Sequence, residues 1–262
     1  MEGKNSLHKF LFLFSLLFIL FACEQTEDGC LDLLSSNYGF DAVSECEECC
    51  EYPDFKIGLG IINDTIENAL NDTIVLSGGD TLIFKNIELL FSEIEIEGIN
   101  DTYKILDSIE VNDLYIKDDY VYFQSPSTKI VGQTRLEDTI KTVSVHLGFN
   151  ETTVSTYKPF ENIDNTSQLD LALDSLYFDD EEIFYFSRIQ IELADSIREL
   201  NLKNLDVKLD FELDQFVDAG SDWIISFNLD LNKLRDGITS DMTNELLIET
   251  FEQNFISSLS IK

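Results

Sequence analysis

Two stretches in the second half of the chain alternate between apolar and polar side chains, with Ile224 the one exception. Val207, Leu209, Phe211 and Leu213 stand against Lys208, Asp210, Glu212 and Asp214. Trp223, Ile225, Phe227, Leu229 and Leu231 stand against Asp222, Ser226, Asn228, Asp230 and Asn232. A period of two puts every apolar side chain on one face of an extended strand. One buried face and one wet face is the signature of an antiparallel sheet. Other segments repeat it: Ile87, Leu89 and Phe91; Ile94 and Ile96 against Glu93, Glu95 and Glu97; Val143, Val145, Leu147 and Phe149. Thr73–Leu76, Gly78-Gly79-Asp80 and Thr81–Phe84 read as strand, turn, strand. Phe55–Ile62 is an apolar run broken by Gly58 and Gly60, Leu114–Phe123 carries three Tyr, and Ile183–Leu193 is rich in aromatics. After Asp236-Gly237 the period changes. Leu247, Ile248, Phe251, Phe255 and Leu259 recur at helical spacing, with Ser240 or Asp241 placed to cap. The expectation is a mainly β chain: an antiparallel β-sandwich with one C-terminal amphipathic α-helix over 240–259.

Twenty Phe and nine Tyr in 262 residues supply a full core, and three Pro leave strands unbroken. The formal charge of −34 opposes binding to phosphate backbones, which needs clustered Lys and Arg, so no nucleic-acid partner is expected. It equally opposes an anionic membrane surface. Cations, basic proteins and neutral glycans remain, with solubility as the plain reading of the charge.

The N-terminus carries an address. Lys4 and Lys9 precede an apolar run, Phe10–Phe21, interrupted only by Ser15, which ends in Leu20-Phe21-Ala22-Cys23 before Glu24, Gln25, Thr26, Glu27 and Asp28. The run is 12 residues, short of the roughly 20 needed to span a bilayer. A basic start, a short apolar centre and a small residue before the cut make an export signal. The cysteine directly after it resembles a bacterial lipoprotein signal. Residues 1–22 are therefore expected to be removed, with Cys23 lipidated and the chain anchored in the outer membrane, and the acidic stretch after Cys23 is similar to a surface-export tag. Residues 23–51 read as an acidic tether carrying a small cysteine knot, and residues 52–262 as the sandwich domain.

Cys30, Cys46, Cys49 and Cys50 remain beside Cys23. In an exported chain four cysteines form two disulfides, with three pairings open. A Cys49–Cys50 bridge would close a strained ring, so Cys30 is expected to bond one of those two. Cys46-x-x-Cys49 also has the spacing of a thiolate metal site. Glu45, Glu47, Glu48 and Glu51 disfavour the thiolates such a site needs.

One triplet, Asp then Ser or Thr then an aliphatic residue, recurs seven times, at Thr65, Thr73, Thr81, Ser108, Thr139, Ser175 and Ser196. That exceeds what chance placement of 27 Asp and 38 Ser or Thr supplies. Turn chemistry explains it, since Asp ends a turn and Thr plus an aliphatic begins a strand. It also resembles an O-glycosylation triplet of exported bacterial proteins, which makes those seven hydroxyls candidates.

Catalytic machinery is not evident. There is no Gly-rich phosphate loop, His-Glu-x-x-His or nucleophile elbow. Past residue 22 the only His is His146, expected on the less apolar face of its strand and hence at the surface. Asn228-x-Asp230-x-Asn232 resembles the opening of a calcium loop, but Lys233 replaces the required Gly. Asp179, Asp180, Glu181 and Glu182 form a carboxylate cluster of the kind a solvated turn carries; glycosidases pair carboxylates too, at a separation sequence does not supply. No catalytic residue, metal ligand or cofactor is assigned.

Three stretches carry a family resemblance: Gly79–Ile96 with its Asn86-Ile87-Glu88-Leu89 core, Val143–Phe149, and Phe184-Tyr185-Phe186. They are similar to the hydrophobic strands of the MbnP-like family, over about residues 55–235. The resemblance implies a β-sandwich, an exported lipoprotein and, in some members, copper binding with a di-haem peroxidase-like partner. The family's Asn-Gly-Met-x-Trp segment has no counterpart near Leu176-Tyr177-Phe178, so no site residue is carried over. The leading expectation is a non-enzymatic, lipid-anchored envelope protein that binds a protein or glycan. A copper-handling accessory lipoprotein is the alternative, and an envelope glycoside hydrolase a weaker one.

Overall fold

The computed structural model describes residues 28–105, 108–111, 114–117, 119–149, 167–178, 183–203 and 207–262. The main strands are β1 (Asp54–Asn63), β2 (Thr81–Gly98), β3 (Val121–Phe123), β4 (Ser127–Gln133), β5 (Asp138–Leu147), β6 (Ile183–Leu193), β7 (Ser196–Lys203), β8 (Lys208–Val217), β9 (Trp223–Asp230) and β10 (Leu259–Ile261). The helices are α1 (Gln168–Leu176), α2 (Leu231–Leu234) and α3 (Asn244–Ser258). Two sheets pack face to face as a β-sandwich. The larger has nine strands built around β2, and the smaller runs β4-β1-β9-β10, with Ile66–Glu67 added beside β1. All pairs in both sheets are antiparallel except β1 with β9, which run parallel from Trp223 opposite Phe55 to Asp230 opposite Ile62.

β2 organises the larger sheet. Its first half pairs with β6, from Leu82 to Leu89, and its second half with β5, from Phe91 to Gly98. Its inward residues are Leu82, Phe84, Ile87, Leu89, Phe91, Ile94 and Ile96, each fully buried. That series slips phase twice, once between Phe84 and Ile87 and once between Phe91 and Ile94. Each slip is a bulge: the register with β6 skips Lys85, and the register with β5 breaks between Ser92 and Glu95. At the second, Glu93 takes the left-handed conformation, φ 49°. The bulge sets the extra residue aside and so keeps the inward face that a strict period of two would lose.

The two halves of β2 are covered by different partners. Phe227 of β9 packs on Phe91 and on Phe211 of β8, with ring centres 5.2 and 4.9 Å apart. Helix α3 covers the other half, with Phe251 against Phe84 at 5.8 Å and Phe255 against Phe186 at 4.8 Å. It starts at Thr243, whose hydroxyl accepts from Leu246 N, rather than at Ser240 or Asp241. It ends at Ser258 because the chain turns extended to add β10 beside β9.

Helix α1 is not expected from the sequence. Ser167 caps it by accepting from Asp170 N at 3.0 Å, and it buries Leu169, Ala172, Leu173 and Leu176. That stripe packs with Leu90, Tyr120, Tyr122 and Phe149 as a second apolar layer on the outer face of the larger sheet. His146 lies on that outer face, paired with Ser92, and is buried rather than at the surface. Alternation assigns its face correctly, but that face is roofed here instead of wet. Its Nδ1 stands 3.5 Å from Ser92 Oγ, which itself donates to Gly148 O at 2.5 Å.

Candidate functional site

The outer face of the smaller sheet carries a hollow among the described residues. Phe55, Ile57, Leu59 and Ile61 of β1 and Trp223, Ile225, Phe227 and Leu229 of β9 all point into the core. The intervening residues therefore face out, and on β1 two of these are Gly58 and Gly60. Gly58 stands opposite Ser226 on one side and Thr128 on the other, and Gly60 stands opposite Asn228. Two missing side chains in the middle of a sheet leave a groove of about 290 Å³ walled by Ser226, Asn228, Ser127 and Thr128, with Pro126 and Asn68 on its rim. Side chains at these positions would crowd the groove's own walls. A Cβ on Gly60 would sit 2.7 Å from Asn228 Oδ1, and one on Gly58 3.1 Å from Ser226 Oγ.

Charge is cancelled at the groove's one charged end. Lys262 Nζ meets Glu67 Oε1 at 2.7 Å, and the same contact holds the Glu67 carboxyl below its usual range. Lys262 is fixed by its backbone N–H, which donates to Ser226 O at 2.8 Å. Beside Leu59, Ile61 and Ile62, the lining thus offers hydroxyls, two amides and a self-neutralised ion pair, in a chain of charge −34. That suits an uncharged, hydroxyl-rich ligand better than an ion. A wider hollow of about 580 Å³ lies beside α2, where Lys233 and Arg235 share the lining with Asp236. Its Arg235 guanidinium is already held by Asn232 Oδ1, at 2.9 Å from Nε.

The cysteines form a knot at one end of the sandwich. Cys30 and Cys50 are disulfide-bonded, with Cα atoms 4.9 Å apart, which selects one partner for Cys30. The second bridge expected from the cysteine count is not formed. Cys46 and Cys49 are free thiols, and the 3₁₀ turn Glu47–Cys49 directs Cys49 Sγ to the Cys46 carbonyl oxygen, to which it donates at 3.0 Å. The Cys49 thiol is pushed up first by a hydrogen bond with the Cys46 side chain and then by burial. The knot is docked on the domain. Arg135 pairs with Asp32 and lies over the Tyr52 ring at 5.1 Å, while Tyr52 OH donates to Asp32 Oδ2 at 3.0 Å. Gly220 lets the Ser35 carbonyl approach so closely that a Cβ would stand 2.6 Å from its oxygen.

The other sequence candidates are scattered. Cys23 and the cluster Asp179, Asp180, Glu181 and Glu182 lie outside the described residues. Thr65, Thr73 and Ser196 are exposed beside turns, at Asp64 (φ 55°), Asn71 (φ 69°) and Asp195 (φ 66°). Thr81 and Thr139 are half-buried in β2 and β5, and Ser108 opens the short strand Ser108–Val111. Ser175 lies within α1, so turn chemistry does not account for that triplet. Leu231 and Asn232 belong to α2 rather than to the preceding strand. Asp230 caps that helix, accepting from Asn232 N at 3.0 Å, and Asn232 Nδ2 donates to Asp64 Oδ1 at 2.7 Å. The calcium-like spacing is thus spent on a helix start. Among the described residues no three or more His, Cys, Asp or Glu side chains are grouped to hold a metal ion. No helix among them is long and apolar enough to cross a membrane.

No protein-family model and no curated protein matches the chain. Among solved structures it is similar to MbnP from Methylosinus trichosporium, at 10% identity and a TM-score of 0.44, over 72% of this chain and 80% of that one.

Proposed function

We propose that this chain is an exported protein, anchored in the outer membrane through lipid on Cys23, that binds an uncharged polar ligand without performing chemistry on it. A segment of neutral glycan is the ligand class the groove suits best. The observation that carries this reading is the groove over Gly58 and Gly60: hydroxyl and amide walls, its one cation already paired, on a chain that otherwise repels anions. Neutral sugars meet such walls with hydroxyls that both donate and accept, as Ser, Thr and Asn side chains do. The glycines admit the ligand directly onto strand backbone, one of the uses of Gly inside a strand.

Calorimetric titration of a panel of neutral oligosaccharides into the wild-type protein and into Gly60→Val tests the proposal. The expected result is saturable binding of at least one neutral sugar by the wild type and its loss in the variant, with an unchanged circular dichroism spectrum. Binding that survives in a folded Gly60→Val protein would place the ligand elsewhere. Turnover of any titrated sugar would contradict the non-enzymatic part.

A further inference from the structure

Five of the large apolar side chains left exposed among the described residues fall within residues 31–43: Leu31, Leu33, Tyr38, Phe40 and Val43. Phe40 is the most exposed of them, at 87%, followed by Val43 at 70% and Leu33 at 66%. Single exposed hydrophobes are ordinary, whereas a concentration of them marks a binding surface. These belong to the cysteine knot, which is not a slack loop: the Cys30–Cys50 bridge closes it, and Asp32 and Ser35 fix it to Arg135 and Gly220. Its apolar side chains are therefore held out from the domain on a stiff support.

What covers them follows from where the chain begins to be anchored. Asp28, the first described residue, is five positions after Cys23, a reach of about 17 Å at most for extended chain. With Cys23 lipidated, the N-terminal end of the knot stays within that reach of the membrane surface. We propose that Phe40, Leu33 and Val43 seat in the interfacial layer of the bilayer that holds the anchor, making the knot a foot that sets how the sandwich stands on the membrane. The proposal rests on the anchor reading above. Residues 28–51 contain seven carboxylates and no Lys or Arg, so the foot suits electrically neutral headgroups and is repelled by anionic ones.

The lipidated full-length protein, reconstituted in phosphatidylcholine vesicles, provides the test. Phe40→Trp adds a reporter at an exposed position, read as the difference from the parent, whose Trp223 is buried. On vesicles the added emission is expected to move to shorter wavelength, to lose most of its quenching by iodide, and to be quenched by lipids brominated in the upper acyl chain. Replacing half the lipid with phosphatidylglycerol is expected to reverse those changes. A lipidated protein that floats with vesicles while the introduced indole stays open to iodide would overturn the foot and leave the anchor standing. Absence of a diacylglycerol mass on Cys23, with no flotation, would remove the anchor and the foot together. A doubled mass with the introduced indole shielded before vesicles are added would overturn the foot by assigning the face to a second copy.

Discussion

Deleting Glu93 should be tolerated, whereas deleting Glu95 two residues on should cost the protein much of its stability, although both side chains are exposed. The bulge sets two residues of β2, Glu93 and Ile94, opposite the single Val145 of β5. Without Glu93 the strand reads Phe91-Ser92-Ile94-Glu95-Ile96, a plain alternation that keeps Ile94 and Ile96 inward with no bulge. Without Glu95 no such repair exists: either Ile96 turns outward and Glu97 turns in, or the bulge is lost, Ile94 turns outward and Glu93 turns in. Ile94 and Ile96 are fully buried. Exposing one isoleucine costs about 1.5–3 kcal/mol, and the carboxylate brought inside adds to that. A domain's whole stability is about 5–15 kcal/mol. Urea unfolding followed by the fluorescence of Trp223, the single Trp, reads both variants. Deletion of Glu95 should lower the midpoint by about 0.8–1.5 M or more for a slope near 2 kcal/mol/M, while deletion of Glu93 should leave it within about 0.5 M of the wild type. A Glu93 deletion as damaging as the Glu95 deletion would refute the bulge as the device that keeps β2 in phase.

Other consequences are equally direct. Burial and the Asp138 carboxylate push the Tyr103 phenol up to about 12, above the ~10 of an unfolded chain. Its stabilising contribution is therefore complete below pH ~10 and disappears as pH rises through the folded value, and Tyr103→Phe should flatten the alkaline limb of a stability profile. Asp138 behaves oppositely: backbone N–H groups of Asn100 and Thr139 and the Tyr103 hydroxyl outweigh its burial and hold its carboxyl below the usual range. It stabilises above pH ~4 and is lost as pH falls through the lower folded value, so Asp138→Asn should show a shallower acid limb. Alkylation at neutral pH without reductant should modify Cys46 and Cys49 and spare Cys30 and Cys50, with Cys49 slow because its thiol is pushed up. Arg135→Ala should speed cleavage of residues 28–51 by a Glu-specific protease while barely moving the Trp223 midpoint, since it loosens the knot's attachment and not the core.

How far the sequence carries can be judged strand by strand. Ile183–Leu193 is legible from its aromatic-rich composition and Trp223–Asp230 from its alternation, and the structure confirms both as strands. The phase slips in β2 are visible as gaps of three between Phe84 and Ile87 and between Phe91 and Ile94, but period alone does not say that bulges join the pieces into one strand of 18 residues. Helix α1 escapes notice because its stripe spans only nine residues, and its counterpart, Leu90 with Tyr120, Tyr122 and Phe149, is assembled from distant segments. The same hidden layer buries His146, which no local pattern reveals. At the groove, Gly58 and Gly60 read in the sequence as interruptions of an apolar run. Two glycines two apart in a strand share a face, and that spacing is the available signal. Their opposition to Ser226 and Asn228 requires the parallel pairing of β1 with β9, which joins segments 168 residues apart.

Backbone amide shifts of the isotope-labelled protein, followed while neutral oligosaccharides are titrated in, test whether the groove over Gly58 and Gly60 holds a neutral polar ligand. The largest changes are expected at Gly58, Gly60, Thr128, Ser226 and Asn228, and they should be absent in Gly60→Val. Saturable changes centred on another surface, or the same response in the variant as in the wild type, would contradict it.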